Sequence, residues 1–387
     1  MRRIGVVTTS RADYGLLRPV LDAMGQDSAI APALFVSGSH LSEAHGHTVD
    51  DIQRDGYPIL ERISCLGDGD GPLQTTEAMG RAVAGMGKAL ERNRPDLLLV
   101  LGDRFEMFAC ASAAVPFRVP IAHIHGGELT YGAMDEVFRH GLTKMSHLHF
   151  PATEAFAARL RQMGEEDWRI TVSGAPGLDR LLTGRAATAD DIAERFGIRP
   201  ASPPLLVTLH PETLGALPPA LQAKTLVGAL RELDWPTVIT TGSADPGAAE
   251  MATILADFAS GREDCWVVDH LGSENYLGLM KSAAAVVGNS SSGIIEAASF
   301  GLPVVNVGDR QKGRTRAANV IDVPYHTGRI ADAILKAVSP GFRDGLADLG
   351  NPYGDGHAAD RIVTRLRDEP LGASLLIKEF IDLENPE

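Results

Sequence analysis

Cysteine is scarce in this chain: three residues in 387, Cys65, Cys110 and Cys265, scattered and without a CxxC pair. That excludes a disulfide framework and a cysteine zinc site, and it points to a reducing cytoplasm. Long apolar runs are missing as well; none approaches the ~18 residues needed to cross a bilayer. The opening MRRIGVVTTS has too short an apolar stretch for a signal peptide and reads as a first strand. Positive charge is in deficit, with 36 Lys and Arg against 50 Asp and Glu and a formal net charge of -14. A surface of that sign argues against general nucleic-acid or anionic-membrane binding. A phosphate ligand remains compatible, because local arginines and helix termini outweigh the total. No GxGxxG fingerprint follows the first strand, which weakens an NAD reading. Internal repeats, low-complexity segments and coiled-coil heptads are absent too.

What is present is a large soluble core. Hydrophobic residues make up 44% and charged residues 22%, the balance of a globular protein. The length exceeds the roughly 100–200 residues of one domain, so two are expected. Strand-like runs at Ile4–Thr8, Ala33–Val36, Leu97–Leu101, Ile121–His125 and Leu148–Phe150 alternate with helical patterns at Tyr14–Met24, Thr75–Glu91, Phe105–Val115, Asp135–Met145 and Glu154–Met163. Several strands are apolar throughout, as parallel strands covered on both faces are. The proline-rich RPASPP at Arg199–Pro204 interrupts the pattern. It then restarts with strands at Leu205–Leu209, Thr237–Thr240, Trp266–Val268, Ala285–Val287 and Val304–Val307. Helices at Pro219–Leu233, Ala248–Phe258, Glu274–Lys281 and Gly293–Phe300 lie between them. Two doubly wound α/β domains are therefore predicted, residues 1–185 and 200–355, with ligands beyond the strand C-termini where the domains face each other. Residues 356–387 read as two further helices, Asp360–Leu366 and Leu371–Leu383, that cross back onto the first domain.

The most informative stretch is GNSSSGIIEAASFGLPVVNVGDRQKGR, Gly288 to Arg314. An apolar strand enters a turn of small polar residues and a helix starts at once. Asn289, Ser290, Ser291 and Ser292 can cap that helix, whose first N–H groups have no partners within it. With Gly288 and Gly293 allowing close approach, the turn is a seat for a diphosphate. Glu296, one turn on, is placed for a sugar hydroxyl, and Arg310, Lys312, Arg314 and Arg316 can neutralise charge. An ordinary capped helix is the plainer alternative.

Four further clusters sit at strand ends. TTSRADYG offers Ser10 and Arg11 to a diphosphate, with Asp13 read as a helix cap. LGDRFE puts Asp103 and Arg104 where the sheet opens, which costs desolvation unless the charges pair or meet a ligand. IAHIHGGELTYGAMDEVFRH is the densest: His123 and His125 on one side of a strand, Glu128 in the loop, and Asp135, Arg139 and His140 on the next helix, Asp135 and Arg139 sharing a face. Such a group of titratable side chains suits proton abstraction and return; without a third spaced ligand the two histidines make a poor zinc site. One of them, His123, is also readable as a core residue, and His147 and His149 are read as structural. TLHPETL places His210 at a strand end to reach a phosphate or sugar oxygen, with Glu212 and Thr213 as caps. Thr240 to Asp245 offers ribose or phosphate contacts.

Taken in order from about Arg2 to Pro324, SRADYG, LGDRFE, HIHGGE, MDEVFRH, TLHPETL and GNSSSGIIE with GDRQKGR resemble the hydrolysing UDP-N-acetylglucosamine 2-epimerases (NeuC-like) of sialic-acid synthesis. The resemblance implies a GT-B architecture, two Rossmann-like domains around a cleft. It implies a UDP-sugar substrate, water as co-substrate, no metal or redox cofactor, and a homo-oligomer. The implied reaction converts UDP-N-acetylglucosamine to N-acetylmannosamine and UDP: UDP leaves C1 as the C2 proton is lost, water adds to the glycal at C1, and a proton returns to the opposite face of C2. Matched position by position, Asp103, Glu128 and Asp135 are acid/base candidates, His210 is the histidine near the diphosphate, and Glu296 a ribose ligand. Some animal relatives carry glutamate where this chain has His125, so either Glu128 or His125 handles the C2 proton. A related branch acts on a UDP-2,4-diacetamido-2,4,6-trideoxyhexose for legionaminic acid, and GAPGLD (Gly174–Asp179) leans towards it. A GT-B glycosyltransferase is the other alternative.

Overall fold

The computed structural model describes every residue except 44–46, 70, 131–133, 185, 213–216, 242–246, 270 and 383–387; the side chains of residues 182, 183 and 273 are also left out. Thr213 and the loop from Gly242 to Asp245 therefore lie outside the described residues. The chain divides into two compact units, Met1–Arg180 with Tyr353–Glu387, and Leu181–Pro352.

The first unit holds six parallel strands: β1 (Arg2–Thr8), β2 (Ile30–Ser37), β3 (Ile59–Ile63), β4 (Leu97–Leu101), β5 (Ile121–Ile124) and β6 (Leu148–Phe150). Their order is β3-β2-β1-β4-β5-β6. The second unit repeats it with β7 (Leu205–Thr208), β8 (Thr237–Thr240), β9 (Cys265–Val268), β10 (Ala285–Gly288), β11 (Val304–Val307) and β12 (Val320–Val323), ordered β12-β11-β10-β7-β8-β9. Each sheet reverses direction beside its first strand, at β1/β4 and at β7/β10. In open parallel sheets ligands bind outside the carboxyl ends at such a reversal.

The continuous apolar runs became the central strands: every residue of β4, β5, β7 and β10 is buried. Two strands, β3 and β12, go beyond the sequence expectation. Both are edge strands, ILERI and VIDV, only part-buried and carrying charge, so no apolar run marks them.

Two expected helices are not formed as such. Gly293–Phe300 is a five-residue helix, Ser291–Ile295, followed by a separate 3-10 turn, Ala297–Phe300, which ends at left-handed Gly301. Of Leu371–Leu383, only Ala373–Leu376 is helical among the described residues. The buried Arg169 guanidinium takes the carbonyls of Leu375 and Ile377 at 2.9 and 2.6 Å, so they are held by a side chain instead of a following turn. The preceding helix, Ala358–Asp368, packs in the first unit's core through Ala359, Ile362, Val363 and Leu366 against Leu17, Leu21 and their neighbours. Burial of each large side chain contributes roughly 1.5–3 kcal/mol. Asp179 caps this helix, accepting from the N–H groups of Ala358 and Ala359 at 3.0 and 2.6 Å. Within the GAPGLD segment, Asp179 thus serves to dock the C-terminal helix.

Candidate functional site

In the first unit, the carboxyl ends of β4 and β5 gather one polar cluster. β5 stops at Ile124 because His125 adopts a left-handed φ of 64°, unusual for a residue with a Cβ. The turn that follows brings Glu128 back, and its Oε1 lies 2.6 Å from Nδ1 of His125. Both side chains are only about a tenth exposed, 11% and 9%. The two candidates for the C2 proton are therefore a hydrogen-bonded pair, and such a charge-assisted bond is among the stronger ones.

Arg139, on the helix Asp135–Met145, ties this pair to the end of β4. Its Nη1 donates to the His125 carbonyl at 2.8 Å, and its Nη2 forms a part-buried ion pair with Asp103. The sequence left open whether Asp103 pairs with its neighbour Arg104 or whether the two meet a ligand. Instead Arg104 turns to Glu106, donating at 3.2 and 3.1 Å, because the fully buried Glu106 carboxylate needs a cation beside it. Thr130 also belongs here, which the sequence did not reveal: its Oγ1 accepts from Arg139 at 3.0 Å and lies 3.4 Å from Asp103. Glu136 holds it by accepting from the Thr130 N–H at 2.5 Å.

Asp135 stands at the first position of the same helix, half-buried. Burial, and then the Asp103 carboxylate, raise its pKa above the usual aspartate value, against the pull of Arg104 and Arg139. A carboxyl whose pKa is raised by burial suits a proton donor. His123 is separate: fully buried, it donates from Nε2 to the Gly102 carbonyl at 2.8 Å, and burial lowers its pKa to about 3. His147 accepts from the Ile121 N–H and His149 meets the buried Glu165. At β1, Ser10 and Asp13 form a reciprocal cap on the helix Arg11–Gln26. Asp13 also accepts from Thr8 Oγ1 at 2.5 Å, and His40 bonds that hydroxyl at 2.9 Å, a contact 32 residues away that no local pattern announces. Arg11 is exposed on the first turn.

In the second unit the reversal at β7/β10 is closed by Asn289. Its Oδ1 accepts from the His210 N–H at 2.7 Å and its Nδ2 donates to the His210 carbonyl at 2.8 Å, so one buried amide clamps both strand ends. Gly288 permits it: φ is 130°, and a Cβ there would lie 2.0 Å from the Thr208 carbonyl. Ser290 caps the short helix, accepting from the Ser292 N–H at 3.4 Å, and Ser292 Oγ meets the Tyr276 hydroxyl at 2.7 Å. Ser291 and Gly293 lie within that helix, and Glu296 at its far end. Burial, and to a lesser extent the Glu296 charge, push the Tyr276 phenol up to about 12, against the pull of its Ser292 bond.

The loop after β11 is folded back onto Asn289, whose carbonyl accepts from Gln311 Nε2 at 2.8 Å and Arg310 Nη1 at 3.2 Å. Glu212 braces the same loop by accepting from the Asp309 and Arg310 N–H groups. Arg316 has partners within the chain: its Nε lies 2.7 Å from Asp322 and its Nη1 donates to the Arg314 carbonyl. Arg314 itself is part-exposed. Among the described residues, no three His, Cys, Asp or Glu side chains are arranged to hold a metal, and no helix is long and apolar enough to cross a membrane.

The chain as a whole is similar to known proteins. A UDP-N,N'-diacetylbacillosamine 2-epimerase (hydrolyzing) of Legionella pneumophila is 35% identical over 98% of this chain and 99% of its own. A GDP/UDP-N,N'-diacetylbacillosamine 2-epimerase (hydrolyzing) of Campylobacter jejuni is 34% identical over 99% of each. The crystal structure of UDP-GlcNAc 2-epimerase from Neisseria meningitidis bound to UDP-GlcNAc superposes with a TM-score of 0.80 at 19% identity, covering 95% of this chain and 100% of that one. At that identity the match speaks for the fold, which is the GT-B type. The sequence model of the UDP-N-acetylglucosamine 2-epimerase family matches residues 22–367, and with two relatives similar from end to end the chain belongs to that family.

Proposed function

We propose that this chain is a hydrolysing sugar-nucleotide 2-epimerase whose substrate is UDP-N,N'-diacetylbacillosamine, a UDP-2,4-diacetamido-2,4,6-trideoxy sugar. The observation that carries the chemistry is the His125–Glu128 pair beside Asp103, Arg139 and Asp135. The substrate rests on the two end-to-end relatives named for it.

In this reading the His125–Glu128 pair removes the C2 proton while the C1–oxygen bond to UDP breaks, giving the glycal and UDP. Water adds across the double bond: its oxygen goes to C1, and Asp135 returns a proton to the opposite face of C2. Asp103, fixed by Arg139 and Thr130, orients the reacting hydroxyl or water. A base and an acid fixed in place are each worth roughly 10²–10⁴-fold. The second unit holds the leaving group. Asn289 to Gly293, His210 and the Arg310–Arg314 loop bind the diphosphate, where donors aimed at growing negative charge count most. Glu296 takes a ribose hydroxyl. Arg11 and Arg104 add positive charge near the sugar nucleotide. The enzyme works in the cytoplasm, consistent with three buried free thiols.

Incubation with this sugar nucleotide and no acceptor, monitored for UDP and free sugar, tests the proposal. In D2O the product should carry deuterium at C2. An intact donor, or a UDP-linked epimer, would refute hydrolysis, and release only on adding an acceptor would indicate a glycosyltransferase. UDP-N-acetylglucosamine is the second reading, favoured by the family's description and by the nucleotide in the Neisseria structure. The ratio of kcat/KM for the two donors decides between them.

A further inference from the structure

The C-terminal tail is fastened to the far end of the helix that carries the acid–base cluster. Lys378 inserts its ammonium under the C-terminus of the helix Asp135–Met145 and donates to the carbonyls of Thr143, Lys144 and Ser146, at 3.4, 3.1 and 2.6 Å. A cation there answers both the unpaired last carbonyls and the negative end of the helix dipole. The same ammonium lies 2.6 Å from Oε2 of Glu165, whose Oε1 is 2.7 Å from Lys144 and whose Oε2 also meets His149 at 2.9 Å. Glu165 is fully buried, so this carboxylate joins tail, helix and β6 in one desolvated network. Around it, Arg169 holds the tail carbonyls, the Glu379 N–H reaches Glu166, and the Ile381 N–H bonds the Gly164 carbonyl at 3.1 Å. The Phe380 ring covers Gly164 and receives Lys144 at 4.7 Å from its centroid.

The helix so anchored presents Asp135 and Arg139 from its other end, and Arg139 in turn fixes Asp103 and the His125 carbonyl. The network reaches the cluster by a second route. His149 pairs in register with His123, whose Nε2 bonds the carbonyl of Gly102, the residue before Asp103. We propose that Lys378 is a positioning residue for the acid–base cluster, and that residues 374–382 act as a strap setting the height and angle of the helix Asp135–Met145. This rests on the epimerase reading of the cluster, while the strap is itself a mechanical claim.

Lys378→Met keeps the stem and removes the charge. Hydrogen exchange should then quicken at least about tenfold in peptides spanning 135–146, while peptides of β1 and β2 stay protected. Turnover should fall about tenfold with KM within twofold and UDP affinity unchanged, and Lys378→Arg should restore most of it. Val363→Ala, in the C-terminal helix but away from the strap, serves as a control matched for loss of Tm; it should keep kcat. If Lys378→Met does not fold, Lys378→Gln is read the same way. Wild-type exchange in 135–146, or a kcat loss equalled by Val363→Ala, would overturn the strap. A wild-type chain that leaves both donors intact would refute the function, and the exchange measurement would still decide the strap.

Discussion

Replacing Glu128 by Gln tests the cluster most directly. The substitution preserves shape and removes one negative charge from a bond of 2.6 Å to His125, at a position where both side chains are about nine-tenths covered. Two magnitudes follow from two roles. If Glu128 only orients and polarises His125, turnover loses the worth of one hydrogen bond to a charged group, about 1.5–3 kcal/mol, or roughly 10–150-fold. If Glu128 itself takes the proton, the loss is that of a general base, up to about 10⁴-fold. UDP affinity should be unchanged, because the residues proposed to bind the diphosphate belong to the other compact unit. The assay is initial-rate UDP release at saturating donor, alongside calorimetric UDP binding and C2 deuterium incorporation. Loss of deuterium incorporation in step with UDP release would mark the shared elimination step. A variant within twofold of wild type in kcat, correctly folded, would refute the assignment of the pair to proton transfer. A loss of UDP binding with turnover intact would move Glu128 to nucleotide recognition.

Other outcomes are expected. Asn289→Ala strips the His210 N–H and C=O of their amide partner, at about 1–3 kcal/mol per unsatisfied group; UDP affinity should fall more than tenfold, with a lower Tm in thermal melts. Gly288→Ala should not yield a folded second unit, since backbone strain of roughly 1–3 kcal/mol adds to a Cβ lying 2.0 Å from the Thr208 carbonyl; circular dichroism with a UDP-binding assay reads it. His123, held neutral by burial with its pKa lowered to about 3, contributes stability that is complete above its ordinary value of 6.5 and lost as pH falls from there towards 3. His123→Gln keeps a donor for the Gly102 carbonyl and should shallow the acid limb of stability against pH; denaturant melts at pH 7, 5 and 4 would show an unchanged slope if the reasoning fails.

Much of the architecture was legible because buried parallel strands are mostly apolar, β4 without a break and β6, β8 and β11 with one or two polar residues: all four have the expected ends. The edge strands β3 and β12 were not, since half-covered ILERI and VIDV carry charge and show no apolar run. The Gly288–Gly293 turn was legible for a local reason, glycine and cap residues in succession. Its purpose as a clamp was not, because Asn289 acts on His210, 79 positions earlier. Likewise the motif spacing nominated Asp103, Glu128, Asp135 and Arg139 as site residues, but left open whether Asp103 pairs with an arginine or meets a ligand. Arg104 is adjacent in sequence and Arg139 is not; which guanidinium reaches a carboxylate depends on where the buried Glu106 already claims one.

The sequence by itself determined two doubly wound parallel sheets and which strand ends carry reactive side chains, because hydrophobic periodicity and turn chemistry act within a few residues. Only the tertiary structure decided how those side chains are wired: His125 to Glu128, Asp103 to Arg139, Asn289 to His210, and the tail lysine to the helix Asp135–Met145. Hydrogen bonds and ion pairs between distant segments are chosen by competition among buried groups for a few partners, and that competition exists only once the chain has closed around them.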